Sequence, residues 1–274
     1  MPNSDVQVTN GSPPRIDTSV AHEARVFDYW LGGKDNYPAD RTLGDAIATH
    51  IPAIRDIARA NRAFLGRATR HLVDAAGVDQ FLDIGTGMPS AGNTHEIAQR
   101  VDPSARVVYV DNDPVVLAHA RALMASHPRG KTAFMQADLN DPRSILDNAT
   151  LTGTLDLDRP IAIMLVAIMM YLRDSDDPHG IIRTLLNAAP SGSYLVITHP
   201  TADFDERVMA RVVATIEQAG ITFRPRTRAE TESLFAGTDI IEPGVVPVTT
   251  WRPDSCDHVD PDPAWFWAGI GRKP

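Results

Sequence analysis

Two glycines and three aspartates stand in this sequence where they could hold a nucleoside. Phe81-Leu82-Asp83-Ile84 is a short apolar run that ends in Gly85-Thr86-Gly87-Met88-Pro89-Ser90. Glycine lets the backbone turn sharply and approach a ligand closely. A helix starting beyond such a turn offers free N–H groups to a polar or anionic ligand. A bare G-x-G says little, but three acids accompany it. Asp83 stands two residues before Gly85, Asp111 ends the next apolar run 24 residues after Gly87, and Asp138 follows the run after that. A carboxylate at the spacing of Asp111 can accept hydrogen bonds from a ribose diol, and one at Asp138 can meet an adenine amino group. Acids at the ends of three successive strands line one edge of a sheet, the edge at which open α/β sheets bind ligands. The plainer alternatives are a tight turn at the glycines and helix capping by Asp138 and Asp141.

These residues need a scaffold, and the flanking sequence has the pattern of one. Residues 1–16 are polar and read as a disordered tail. Asp17, Thr18 and Ser19 are N-cap types ahead of a helical pattern over 20–31, which Gly32-Gly33 ends. A polar loop, Lys34-Asp35-Asn36-Tyr37-Pro38-Ala39-Asp40, leads to helices over 42–50 and 53–76; in the second, Ile54, Ile57, Ala58, Phe64, Leu65, Leu72 and Val73 recur at helical spacing. From there apolar runs over 80–84, 106–110, 132–136, 160–167 and 193–198 alternate with helical stretches over 94–101, 114–126, 142–149 and 180–189, the pattern of a parallel sheet covered on both faces. Helices over 205–219 and 228–235 follow, then strands over 244–250 and 265–271 joined by an acidic, Pro-rich link. Trp265 and Trp267 alternate and are expected to share one side of the sheet, as core or as a partner contact. The expected fold is α/β and Rossmann-like: a seven-stranded, mostly parallel sheet with an antiparallel last strand, helices on both faces and an N-terminal helical cap. The expected organisation is a tail (1–16), a cap or lid (17–78) and a core (79–274).

Composition narrows the function. The chain has 274 residues, ample for one buried core. Its formal charge of −9 argues against general nucleic-acid binding, which needs a basic face. The single cysteine, Cys256, excludes an internal disulfide and a multi-cysteine zinc site, and fits a reducing compartment. There is no apolar signal core at the N-terminus, and the most apolar run, 161–172, is far too short to span a bilayer as a helix. A cytoplasmic protein without a membrane partner is expected.

The glycine loop differs from a dinucleotide fingerprint. The third glycine of G-x-G-x-x-G is replaced by Ser90, Pro89 sits at the expected helix start, and no Walker-type loop occurs. Instead Asp83-Ile84-Gly85-Thr86-Gly87, Val110-Asp111-Asn112-Asp113 and Gln136-Ala137-Asp138-Leu139 resemble the first three motifs of class I S-adenosylmethionine (SAM)-dependent methyltransferases, in order and spacing. More narrowly, the stretch from Arg25 to Tyr37, Ala60-Asn61-Arg62-Ala63-Phe64-Leu65, and Glu242-Pro243-Gly244-Val245-Val246-Pro247-Val248 resemble signatures of one subgroup, formerly catalogued as a domain of unknown function and since called an S-adenosyl methyltransferase family. The resemblance implies SAM as cofactor and assigns roles by position. Gly85, Thr86 and Gly87 would pass the methionine end, with Asp83 holding its amino group. Asp111 would hold the ribose hydroxyls, Asn112 would lie beside the adenine, and Asp138 and Leu139 would contact it. Ala167 would sit near the sulfonium. Many methyltransferases carry an acidic or polar residue after the fourth strand; here the chain reads Val166-Ala167-Ile168-Met169-Met170-Tyr171.

Methyl transfer from a sulfonium is an in-line displacement, and positioning supplies much of its rate. A general base is needed only where the acceptor must lose a proton, so no fixed catalytic constellation is expected. His199 could be a base, or a hydrogen-bonded structural histidine. Tyr171 could line an acceptor pocket, or pack; with His199 and Tyr37 it completes the candidate catalytic side chains. The Asp35-Asn36-Tyr37 loop after the double glycine could hinge a lid or touch a substrate, or be a plain surface loop. Arg62 could pair with the SAM carboxylate, or face solvent. The acidic stretch Asp254–Asp262, with Cys256 and His258, holds ligand-type residues but reads as a surface loop, so no metal is expected. The leading reading is a methyltransferase acting on a small molecule. A non-catalytic SAM-binding sensor or assembly protein and an NAD-dependent oxidoreductase are the alternatives, and an aminopropyl transferase shares the fold but needs paired acids not evident here.

Overall fold

The computed structural model describes residues 17–254 and 265–274. The expected tail and nearly all of the 254–262 acidic stretch therefore lie outside the described residues; Asp254 itself pairs with Arg70 at 3.0 Å.

Three helices precede the first strand: α1 (Glu23–Leu31), α2 (Pro38–His50) and α3 (Ile54–Asp74). Helix α2 begins four residues earlier than its sequence pattern because Pro38 occupies its first turn, where a missing N–H costs nothing. Gly32 adopts φ +81° as the C-cap of α1. Strands β1 (Gln80–Ile84), β2 (Arg106–Asp111), β3 (Lys131–Gln136), β4 (Ala162–Val166) and β5 (Tyr194–Pro200) alternate with α4 (Thr94–Val101), α5 (Pro114–Leu123), the short α6 (Pro142–Leu146) and α7 (Ala149–Thr152), and α8 (Pro178–Ala188). Then come α9 (Glu206–Gln218), α10 (Arg228–Ser233), β6 (Asp239–Ile240), β7 (Val246–Pro247) and β8 (Phe266–Arg272).

The sheet runs β3-β2-β1-β4-β5-β8-β6, with β7 also on β8. The first five strands are parallel, and β8 lies antiparallel to β5, β6 and β7. There are eight strands rather than the seven expected, because β6 has only two residues, too few to show a period of two. Side chains alternate between two cores: Val107 and Tyr109 join the one under the N-terminal helices, Val108 and Val110 the one under α6, α7, α8 and α10. Trp265 and Trp267 fall in opposite cores, against the expectation that they share a side. Trp265 sits just outside β8 with φ +53°, so strand alternation does not reach it.

Buried polar contacts hold the N-terminal helices in place. The Arg25 guanidinium donates to both Asp40 carboxylate oxygens at 3.1 and 2.9 Å, and Asp40 also accepts from the His22 and Tyr37 amides. Asp28 accepts from the Asp35 amide and the Asn36 side chain, and a Cβ at Gly33 would run into this carboxylate, so a larger residue there would have to push Asp28 out of these bonds. On α3, Arg67 donates to the carbonyls of Val248 and Trp251, tying the helix to the chain after β7. No helix among the described residues is long and apolar enough to cross a membrane.

Candidate functional site

A cleft of about 350 Å³ opens at the C-terminal edge of the parallel strands, roofed by α1. Its floor is the turn after β1. Gly85 has φ +77°, and a Cβ there would come within 2.6 Å of the Ile168 side chain. Gly87 has φ +64°, and a Cβ built on it meets nothing within 4 Å, so the backbone faces open space. The Gly87 amide donates to Asp111 Oδ2 and the Asp113 amide to Asp111 Oδ1, both at 3.0 Å, which fixes the carboxylate at the mouth of the turn. Burial pushes the Asp111 carboxyl upward, and these amides hold it back.

The helix after the turn does not serve as an anion cradle. Six residues separate Gly87 from α4, and the first-turn donors are used internally. Asn93 and Glu96 form a capping box, and the His95 amide donates to the Tyr109 hydroxyl at 2.8 Å.

Asp83 is buried at the end of β1. Thr94 donates its hydroxyl to the Asp83 carboxylate at 2.6 Å. Burial drives this carboxyl up to about 6, against the pull of Thr94 and Arg62 and helped by Asp111. Arg62 reaches into the cleft and donates to the carbonyls of Gly92 and Ala91, so it also clamps the loop before α4. Asn112 and Asp138 are exposed on the cleft rim. Asp138 is no helix cap: Asp141 caps α6, while Asp138 Oδ1 accepts from the Asn140 amide and side chain. Ala167 follows β4 with φ +56°, its amide held by the Thr198 hydroxyl at 2.9 Å. Leu139, Thr86 and Tyr171 complete the expected residues that line the cleft.

Other expected residues are elsewhere. Asp35, Asn36 and Tyr37 do not line the cleft; Asn36 and Tyr37 hold the turn onto α2, and Asp35 Oδ2 lies 3.7 Å from His119. His199 is fully buried away from the cleft. Its Nδ1 is 2.9 Å from the Pro200 carbonyl, and Arg226 donates to its Nε2 at 2.9 Å. Burial, with Arg226 adding to it, drives the ring down to about 3. A neutral imidazole with both nitrogens engaged is structural, and the base reading of His199 is corrected.

Sequence reasoning missed several walls. Asn61, 2% exposed, lines the cleft with its Oδ1 buried and without a hydrogen-bond partner among the described residues. An amide at a core position of an apolar stripe, between Ile57 and Phe64-Leu65, was the readable signal. His22, Glu23, Phe27 and Asp28 of the α1 region and the Gly220–Thr222 segment also line it, and no sequence signal placed them there.

The chain's residues 9–274 match the model of the S-adenosyl methyltransferase family. The chain belongs to that family. It is accordingly a SAM-dependent methyltransferase, and the NAD reading falls away. Among solved structures, a DUF574-family protein of Streptomyces avermitilis is similar at 48% identity and a TM-score of 0.92, over 95% of this chain and 100% of that one. A candidate methyltransferase of Thermobifida fusca is similar at 42% identity and a TM-score of 0.87, over 96% and 98%. The magnesium protoporphyrin IX methyltransferase of Synechocystis, solved with S-adenosylhomocysteine (SAH), shares the fold at 12% identity and a TM-score of 0.54, over 91% of this chain and 93% of that one. No match was found among curated proteins. The cleft fits the family's cofactor in its acceptors and its open backbone: free space at Gly87, a fixed carboxylate at Asp111, and a buried amide oxygen at Asn61, without a partner among the described residues, that can accept from an amino group.

Proposed function

We propose that this methyltransferase binds SAM in the cleft beside Gly85 and Gly87 and passes its methyl group to a small-molecule acceptor. One observation carries the binding reading: Arg62, Asp83, Gly85, Thr86, Gly87, Asp111, Asn112, Asp138, Leu139 and Ala167, far apart in sequence, all line this one cleft. In this reading Asp111 takes the ribose hydroxyls, Asp138, Asn112 and Leu139 flank the adenine, and Asp83 and Asn61 accept from the amino group. Arg62 pairs with the carboxylate while keeping its grip on the loop. SAM supplies an activated methyl on a sulfonium, whose departure leaves a neutral thioether. The protein's part is then to hold the acceptor in line and exclude water. A cleft of about 350 Å³ roofed by α1 is the size of a small-molecule site rather than a nucleic-acid face. The charge of −9 points the same way, and the single cysteine supports a cytoplasmic setting.

Calorimetric titration with SAM, SAH and NAD, beside Asp111→Ala, tests the site. Micromolar SAM and SAH binding that the variant loses, with none for NAD, is the expected result. Intact SAM binding in the variant refutes the assignment of the ribose carboxylate.

A further inference from the structure

A second, smaller cavity of about 60 Å³ lies beneath the N-terminal helices, between α1, α2, α3 and α9. It shares four wall residues with the cofactor cleft: Glu23, Phe27, Tyr171 and Ile221. The remaining walls are apolar side chains such as Leu43, Ile47, Ile54, Met209 and Val212, and Glu23 is the only charged residue among them. Glu23 is about 29% exposed, and it shares the common wall with Tyr171, whose hydroxyl makes no hydrogen bond among the described residues. An apolar chamber with one carboxylate and one unpaired hydroxyl at the wall it shares with a methyl-donor cleft is the layout of a site for an amphiphile.

We propose that this chamber is the acceptor pocket, that it takes a compact aliphatic group, and that Glu23 and Tyr171 hold the acceptor's hydroxyl or amine where the chamber meets the cofactor cleft. The inference rests on the cofactor reading above. Size sets the class: a cavity of about 150 Å³ lined by aliphatic and aromatic side chains accepts benzene, and this chamber has less than half of that. A short branched chain fits and a ring does not. Charge sets the polar end: a carboxylate at the junction favours a hydrogen-bond donor and repels an acid. Glu23 is therefore a positioning residue, and it is close enough to the polar end to accept its proton if the acceptor must lose one.

Ligand-observed NMR on the SAH-loaded protein tests this with isobutanol, isobutylamine and isobutyrate, which place the same kind of branched alkyl group in the chamber and differ at the polar end, and with benzene as the bulkier ring. Millimolar binding of the alcohol or the amine is expected, with none for isobutyrate or benzene, and the stronger of the first two identifies the polar group. Val212→Phe, which fills the chamber from α9 outside the cofactor cleft, should abolish probe binding while leaving SAH affinity and cooperative melting intact. Glu23→Gln should weaken the amine or alcohol at least fivefold and admit isobutyrate. Loss of SAH binding in the wild-type protein would sink the cofactor reading itself. Intact SAH binding with no probe bound, with benzene bound as well as isobutanol, or with binding untouched by Val212→Phe would overturn the acceptor pocket alone.

Discussion

Replacing Asp83 by Asn should make the free protein more stable and the cofactor site worse. Burial holds the Asp83 carboxyl at about 6, where an ordinary aspartate sits near 3.8. Each tenfold in proton affinity is worth about 1.4 kcal/mol, so keeping this group ionised at neutral pH costs the folded state ~3 kcal/mol. The sign follows from proton counting: between pH 3.8 and about 6 the folded chain binds more protons at this site than the unfolded one, so stability falls as pH rises through that window. An amide has no such cost and can still accept the Thr94 hydroxyl through its oxygen. Urea unfolding without cofactor should therefore show Asp83→Asn more stable than wild type by up to ~3 kcal/mol near pH 7.5, and nearly equal to it near pH 3.5. The difference between the two proteins is the quantity to follow, because His199 tilts both curves the other way. Calorimetry should show SAM binding weakened at least tenfold in the variant, and wild-type affinity should fall as pH drops below about 6 and Asp83 loses the charge proposed to meet the amino group. A variant less stable than wild type near pH 7.5, or a gap that does not change with pH, would refute the idea that the protein holds a costly charge ready for its ligand.

Gly85→Ala combines a positive φ with a Cβ 2.6 Å from Ile168, and chemical denaturation should show a loss of ~1–3 kcal/mol that a companion Ile168→Ala only partly restores. Asp40→Ala leaves Arg25 buried without its partner, so ~3–5 kcal/mol should be lost, and Trp30 fluorescence should report the loosened N-terminal helices. The folded His199 ring refuses a proton until about pH 3, whereas the unfolded ring takes one near 6.5; stability is therefore lost as pH drops through that window, and His199→Gln should flatten the acid limb of a melting-temperature profile.

Much of the cleft's sheet edge was legible in the sequence because its residues are local to strand ends: Asp83 sits within the first apolar run, and Gly85, Gly87, Asp111 and Asp138 lie just beyond or at the end of one. Residues reaching the cleft from the N-terminal helices were not. Helix periodicity in α1 marks an apolar stripe but does not say that Glu23, Phe27 and Asp28 look down on the β1 turn, since that is fixed by Arg25 and Asp40 and by packing on α3. The double glycine suggested a hinge, and the structure gives Gly33 a steric reason instead, the Asp28 carboxylate against its Cα. His199 looked available because it ends a strand at the ligand edge; only Arg226, 27 residues further along, shows that it is spoken for.

Strand β8, residues 266–272, lies between β5 and β6, while Trp265 and Phe266 wall the small chamber and Arg67 of α3 grips the carbonyls of Val248 and Trp251. During synthesis the glycine turn and its acids emerge in the first half of the chain. The chamber can close only after the final strand has left the ribosome and threaded in beside β5. A nascent chain thus has the glycine turn and its acids well before it has the small chamber, and β8, with the 248–251 segment that Arg67 grips, is the keystone that closes it.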